Sequence, residues 1–312
     1  MGLLGVESYC EQISTSRRKL PAGSSFLTPL PSWTGRGEEL YANFRRAVLE
    51  RMEDMDAVLF EREGPVGWLT LNRPEKRNAL SLDVMVELSK KLDKIAGDPE
   101  TRVLVLRGNG SIFSAGHDIK EMASHNKDLH YLRNVFTTCN QIMLRLQQMP
   151  QPVMAQVHGV ATAAGCQLVA ACDLAVAEEG ARFATPGVKI GLFCTTPMIP
   201  LVRVIGRRRA MDMLLTGRFV SAGEALEFGL VNRVVPMDKL ADETRQWAKE
   251  IAQFSGFTLS LGKRAFYTQV DWDERSAYDY AKEIIAMNCM AEDADEGMNA
   301  FLEKRKPEWR DR

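Results

Sequence analysis

Three observations predict an α/β fold in which strands alternate with helices and the chain closes in an all-helical section. Apolar runs of strand length recur at Val66–Leu71, Val103–Leu106 and Val153–Val157, bounded by Gly, Pro, Asn or charged residues. Between them, apolar residues recur at helical spacing. After about Pro236 the strand signals stop, and helical patterns fill the chain to Lys304. Strands alternating with helices imply crossover connections.

Taken in order, residues 1–54 differ from the rest. Gly23, Ser24, Ser25, Pro29, Pro31, Ser32, Gly35 and Gly37 make a turn-rich tract. Leu40 to Met52 reads as a charged helix, and the whole segment as an extension that precedes a start at Met52 or Met55. From Ala57 the pattern sharpens. Val58-Leu59-Phe60 and Val66–Leu71 form a hairpin about Glu63-Gly64-Pro65. Ser81 is a good N-cap for a helix with the stripe Met85, Leu88, Leu92, Ile95, which Gly97 and Pro99 end. Val103–Leu106 is continuously apolar, as expected of a strand covered on both faces. A helix carrying Val135, Cys139, Ile142 and Leu146 stops at Pro150 and Pro152. The strand Val153–Val157, a small-residue helix through Cys172 and the strand Leu174–Ala177 follow. The expected division is an extension at 1–54, an α/β core at 55–235 and a helical section at 236–312.

The 312 residues are 45% hydrophobic and 26% charged, the composition of a globular chain with a sizeable core. A formal net charge of −1 gives no basic field, which argues against nucleic acid as a partner. No apolar run approaches the roughly 18 residues of a bilayer span, so no membrane partner is expected. Six cysteines show no CxxC pair and no metal-ligand spacing with the four histidines; they read as buried thiols, with no metal and no separate cofactor. Reduced thiols point to the cytoplasm. Arg17-Arg18-Lys19 in a Ser-rich stretch leaves the mitochondrial matrix as the alternative, against Glu7, Glu11, Glu38 and Glu39.

Chemistry concentrates in two turns. Phe113-Ser114-Ala115-Gly116-His117-Asp118-Ile119-Lys120 and Gly159–Gln167 each follow an apolar run and consist largely of residues small enough for close backbone approach. Gly116 permits a sharp bend, after which His117 or Asp118 opens a new segment with its N–H pointing outward. Ala163-Ala164-Gly165 opens a helix, whose first N–H groups are unpaired and lie at its positive end. Facing each other, the two turns could offer converging donors to one carbonyl oxygen, an oxyanion hole.

Five segments in order resemble the crotonase (enoyl-CoA hydratase/isomerase) superfamily from about residue 57 to the end. They are Asn72–Leu80, Phe113–Lys120, His158–Asp173, Phe183-Ala184-Thr185-Pro186 and Glu296–Pro307. Within it, Ala163–Asp173 and Phe183–Cys194 resemble the branch called enoyl-CoA hydratase domain-containing protein 3. The resemblance implies a crotonase-like spiral of ββα units with a C-terminal helical trimerisation section. It also implies homotrimers or hexamers and an acyl-CoA thioester as ligand, coenzyme A entering only as part of that substrate. It places the oxyanion N–H groups on His117 and Ala164. It places thioester and pantetheine contacts at Asn78, Ala79, Leu80, Ser114, Ala115, Asp118, Ile119 and Lys120. Phe301 and Lys304 match residues that reach the CoA of a neighbouring subunit. Lys76, Arg77 and Lys120 supply cations for CoA phosphates.

The sequence departs from hydratase chemistry at both positions where the family's hydratases carry glutamate: Gln167 and Gly187 stand there. Neither can take up or release a proton, so efficient hydration is not expected. Gln167, Cys194, Thr162, Thr185, Thr195 and the His117 ring are the remaining polar neighbours. The readings left open are an enolate-stabilising acyl-CoA enzyme, a decarboxylase or thioesterase of a CoA thioester, a weak hydratase with Gln167 orienting water, and a non-catalytic acyl-CoA binder. Ser-Ala-Gly-His-Asp-Ile also resembles methylmalonyl-CoA decarboxylases, which carry Tyr where Cys194 stands. Cys194 is the candidate nucleophile for thioester cleavage.

Overall fold

The computed structural model describes residues 57–312. The extension expected at 1–54, with its charged helix, lies outside the described residues. Strands β1 (Val58–Glu63) and β2 (Val66–Leu71) form the expected antiparallel hairpin, turned by Gly64 at φ +57°, where a side chain would be strained. Helix α1 (Leu82–Ala96) buries Met85, Leu88, Leu92 and Ile95, and the Ser81 hydroxyl accepts the Val84 N–H at its start. β3 (Val103–Gly108), α2 (Ile119–Ser124), α3 (Leu129–Gln148) and β4 (Val153–Val157) follow.

From there the chain alternates between two sheets. β5 (Val160–Thr162), α4 (Ala164–Ala171), β6 (Leu174–Glu178) and β7 (Arg182–Ala184) come first. Next are α5 (Met198–Ile205), α6 (Arg207–Thr216), β8 (Val220–Ser221), α7 (Ala222–Phe228) and β9 (Arg233–Val235). The larger sheet runs β1-β2-β3-β4-β6-β9 and the smaller β5-β7-β8. All pairs in the larger sheet are parallel except β1–β2. This is the ββα spiral that the resemblance implies.

Period-2 alternation divides each central strand between two cores. Leu69, Leu71, Leu104 and Leu106 face the core built with α1, α3 and α4. Trp68, Val103 and Val105 face the other, which is closed by Leu240 and Ala248 of α8 (Met237–Ile251). Both faces are covered, which is why these strands are apolar without a break.

The helical end comprises α8, α9 (Gly256–Gln269), α10 (Glu274–Asn288) and α11 (Glu292–Glu303). One buried polar node fastens α9 to the core. Lys263 Nζ donates to the carbonyls of Leu146 (2.7 Å) and Gln151 (2.8 Å) and pairs with Asp173 (2.7 Å). Asp173 also accepts the Val153 N–H and the Tyr267 hydroxyl. Burial alone would pull the Lys263 ammonium down further; the Asp173 carboxylate opposes it.

Candidate active site

The two small-residue turns lie side by side. Ser114 donates its N–H to Val160, and Thr162 returns one to Ser114, so the segments pair as a short parallel ladder. Asn78 braces the first turn from behind. Its amide nitrogen donates to the carbonyls of Asn109, Ile112 and Phe113, and its oxygen accepts the Arg73 N–H. The Ser114 hydroxyl donates to the Asn78 carbonyl and accepts the Gly116 N–H. The side chains of Asn78 and Ser114 are thus spent on building the turn, and Leu80 is buried.

Gly116 adopts φ +86°, and a Cβ there would lie 2.9 Å from the Ala164 nitrogen, so only glycine lets the turns approach this closely. Ala163 enters α4 at φ +51°, ψ −118°, a strained setting for alanine that aims the following N–H out of the helix start. Neither the His117 nor the Ala164 N–H has a partner among the described residues, whereas their neighbours Ala163 and Asp118 are bonded to Ala184 and Leu80. Two free donors on adjoining turns are what a developing oxyanion requires.

The His117 ring packs edge-on against Phe136 at 5.3 Å, and its buried Nε2 has no hydrogen-bond partner among the described residues. Burial pulls the imidazole down to about 4, so it is neutral at pH 7. The folded pKa lies below the ordinary 6.5, so the unfolded chain binds the extra proton between those values, and stability falls as pH drops through 6.5 toward 4. Between pH 7 and 5 this residue should remove about 2 kcal/mol. Urea unfolding at the two pH values, repeated on His117→Gln, checks it: the variant should lose that increment of pH dependence.

Gln167 lies three residues beyond Ala164, one helical turn along the same face and about 4.5 Å farther up the axis. Its side chain is buried; Oε1 accepts a long contact from Cys139 Sγ at 4.0 Å. It also lines a cleft of about 770 Å³ between α3, α5 and α9, whose walls include Asn140, Thr196, Arg203, Arg264 and Asp271. Sequence reading missed this wall because its residues come from three distant helices with no shared local motif.

Gly187, at the start of a short 3-10 helix, has no space for a side chain. A Cβ there would stand 2.6 Å from the Leu192 carbonyl oxygen and 2.9 Å from Cys194 Sγ. The thiol thus fills the direction in which a residue-187 side chain would leave the backbone. Burial raises the Cys194 pKa, partly offset by a hydrogen bond from the Gly187 backbone, and no cation acts on it. Such a thiol is protonated at neutral pH and a poor nucleophile.

A sequence model of the enoyl-CoA hydratase/isomerase family matches residues 61–312. The chain belongs to that family. Within it, enoyl-CoA hydratase domain-containing protein 3, mitochondrial, of Danio rerio is 46% identical over 252 residues, 80% of this chain and 86% of the relative. The Homo sapiens protein of that name is 44% identical over 242 residues, 77% of this chain and 79% of its own. The crystal structure of human enoyl coenzyme A hydratase domain-containing protein 3 superposes with a TM-score of 0.79 at 42% identity, covering 81% of this chain and all of that one. An enoyl-CoA hydratase of Mycobacterium smegmatis gives 0.79 at 46% identity, covering 81% and 98%.

The packing at 187 leaves no room for a carboxylate side chain. Gly187→Glu should therefore cost about 1–3 kcal/mol of stability. Combined with Gln167→Glu it should give no sharp gain in hydration, because the 187–194 loop must move to admit the side chain. Thermal unfolding and a crotonyl-CoA hydration assay on the double variant check both points. Of the other family-placed residues, Ala115 and Asp118 are partly exposed beside the turn, and Ile119 and Lys120 are exposed. Asp118 caps α2 by accepting the Lys120 and Glu121 N–H groups. The side chains of Lys76, Arg77 and Lys120 are exposed and, among the described residues, carry no ion pair. Phe301 is 82% exposed on α11, and Lys304 follows it at φ +56°.

Proposed function

We propose that this protein is an acyl-CoA thioester enzyme that stabilises an enolate with the His117 and Ala164 N–H groups and supplies no carboxylate of its own. The observation that carries this is the pair of unpartnered donors on adjoining turns, next to a carboxamide at 167 and a packed glycine at 187. Reactions that need a protein base to strip an α-proton, or an acid–base pair to add water, find neither group here. Loss of CO₂ from a β-carboxyacyl-CoA needs neither. The bond between the α-carbon and the carboxylate breaks, its electron pair enters the thioester as an enolate held by the two N–H groups, and a proton from solvent then returns to the α-carbon. A fixed glutamate beside the substrate carboxylate would oppose its binding, and the site has none.

Thioesterase chemistry through Cys194 is disfavoured by its raised pKa and the lack of a neighbouring cation. A non-catalytic acyl-CoA binder is the second reading, favoured by the same missing carboxylates. Lys76, Arg77 and Lys120 would hold the CoA phosphates. Phe301, Lys304 and the exposed apolar residues of α10 and α11, among them Tyr278, Ile285 and Met287, would serve a trimer or hexamer. The relatives' names support the mitochondrial matrix over the cytoplasmic reading. No described helix is long and apolar enough to cross a membrane.

Incubation with enoyl-, 3-hydroxyacyl-, methylmalonyl- and saturated acyl-CoAs, followed by mass spectrometry, tests the proposal. Loss of CO₂ with CoA still attached is the expected result. Release of free CoA would favour a thioesterase, and binding without turnover the non-catalytic reading.

A further inference from the structure

The cleft that starts at Gln167 is more than a path for an alkyl chain. A volume of about 770 Å³ is ample for the acyl part of a thioester. Most of its wall is apolar, from residues such as Met143, Leu144, Ile199 and Pro200, yet two arginines stand on it. Arg203 is occupied: its Nε donates to Asp271 at 3.2 Å and its Nη1 to the Ile199 carbonyl at 3.0 Å. The Arg264 guanidinium has no ion pair or hydrogen bond among the described residues, and Asp271 is the only carboxylate among those lining the cleft. The lining therefore carries one net positive charge, held by a guanidinium with all its donors free. At the other end, no Gln167 Nε2 hydrogen bond is formed within the described residues, leaving a neutral donor facing the same space.

We infer that this cleft selects acyl-CoA thioesters whose acyl chain ends in a carboxylate, with Arg264 binding that terminal group. The inference rests on the acyl-CoA reading of the His117 and Ala164 site and is independent of the reaction that follows. The thioester carbonyl sits at the N–H pair, the chain passes Gln167, and the distal anion meets the guanidinium, whose planar fork suits a carboxylate. Arg264 lies next to Lys263, whose buried ion pair fixes α9, so the guanidinium projects from an anchored wall. A chain of several carbons with a methyl end would leave Arg264 solvated and gain nothing from it.

The test is calorimetric binding of two saturated thioesters of equal chain length to the full-length protein, adipoyl-CoA and hexanoyl-CoA. Adipoyl-CoA should bind roughly tenfold tighter, the scale of one hydrogen-bonded charge contact. Arg264→Gln should erase that difference while leaving hexanoyl-CoA affinity unchanged, and Arg264→Lys should restore part of it. Equal affinities in the wild type, or an undiminished preference in Arg264→Gln, would overturn the inference and leave the acyl-CoA reading intact. Failure of both thioesters to bind would instead remove the acyl-CoA reading, and this inference with it.

Discussion

Ala164→Pro should lower turnover of every acyl-CoA substrate by about 10²–10³-fold, the cost of losing one oxyanion donor. The substitution is well placed for this purpose. Ala164 is the first residue of α4, where proline is tolerated because its N–H would be unpaired in the helix anyway. The deleted hydrogen is thus one that the fold does not use and the reaction does. The main structural risk is the preceding Ala163, whose φ of +51° is already strained. Thermal unfolding and circular dichroism must therefore stay near wild type for the rate to be interpretable. If KM is little changed while kcat falls, the donor acts on the transition state rather than on the bound thioester. His117→Ala gives the complementary reading, since it keeps the backbone N–H and removes only the ring.

Lys263→Met should destabilise the protein by about 3–5 kcal/mol, the effect of stripping one partner from a buried ion pair. The ammonium satisfies three acceptors at once, and its loss leaves the carbonyls of Leu146 and Gln151 without it and Asp173 without its cation. Urea unfolding should show a lower midpoint with an unchanged slope. Adding Asp173→Asn should recover part of the loss, because the uncompensated charge is then gone. A single-variant effect below about 1 kcal/mol would mean that water reaches this node freely. Lys263 and Tyr267 lie on α9, so the same substitution should also loosen the cleft wall that Arg264 and Thr268 provide.

Much of this was legible in the chain because the signals are local. Ser81, Gly97 and the Met85–Ile95 stripe specify α1 by capping and 3.6-residue periodicity. The unbroken apolarity of Val103–Leu106 announces a strand covered on both faces. Small residues at a bend and at a helix start announce the two turns, while it took the family resemblance to place the N–H groups on His117 and Ala164. The three-residue strands β5 and β7 are a different case. At Val160–Thr162 and Arg182–Ala184 there is too little chain for any period to show, and they exist because the ladder with Phe113–Ser114 and the neighbouring sheet hold them. Gly187 could be read as a missing glutamate, but its contact with Leu192 and Cys194 could not, because it depends on how residues 187–194 loop back. The cleft was invisible for a similar reason: Gln167, Arg203 and Arg264 are gathered only when α4, α5 and α9 pack. Asn78 shows a role that sequence suggested only loosely, since its neighbourhood was marked for ligand contact while its amide is spent bracing the turn.

The most direct measurement compares methylmalonyl-CoA with crotonyl-CoA as substrates of the unmodified protein in D₂O, with products read by mass spectrometry. The account predicts that methylmalonyl-CoA loses CO₂ and gains one deuterium at the α-carbon, while crotonyl-CoA gains no water. Rapid hydration of crotonyl-CoA with methylmalonyl-CoA left intact would contradict it, because the protein would then possess an acid–base pair that Gln167 and Gly187 cannot supply.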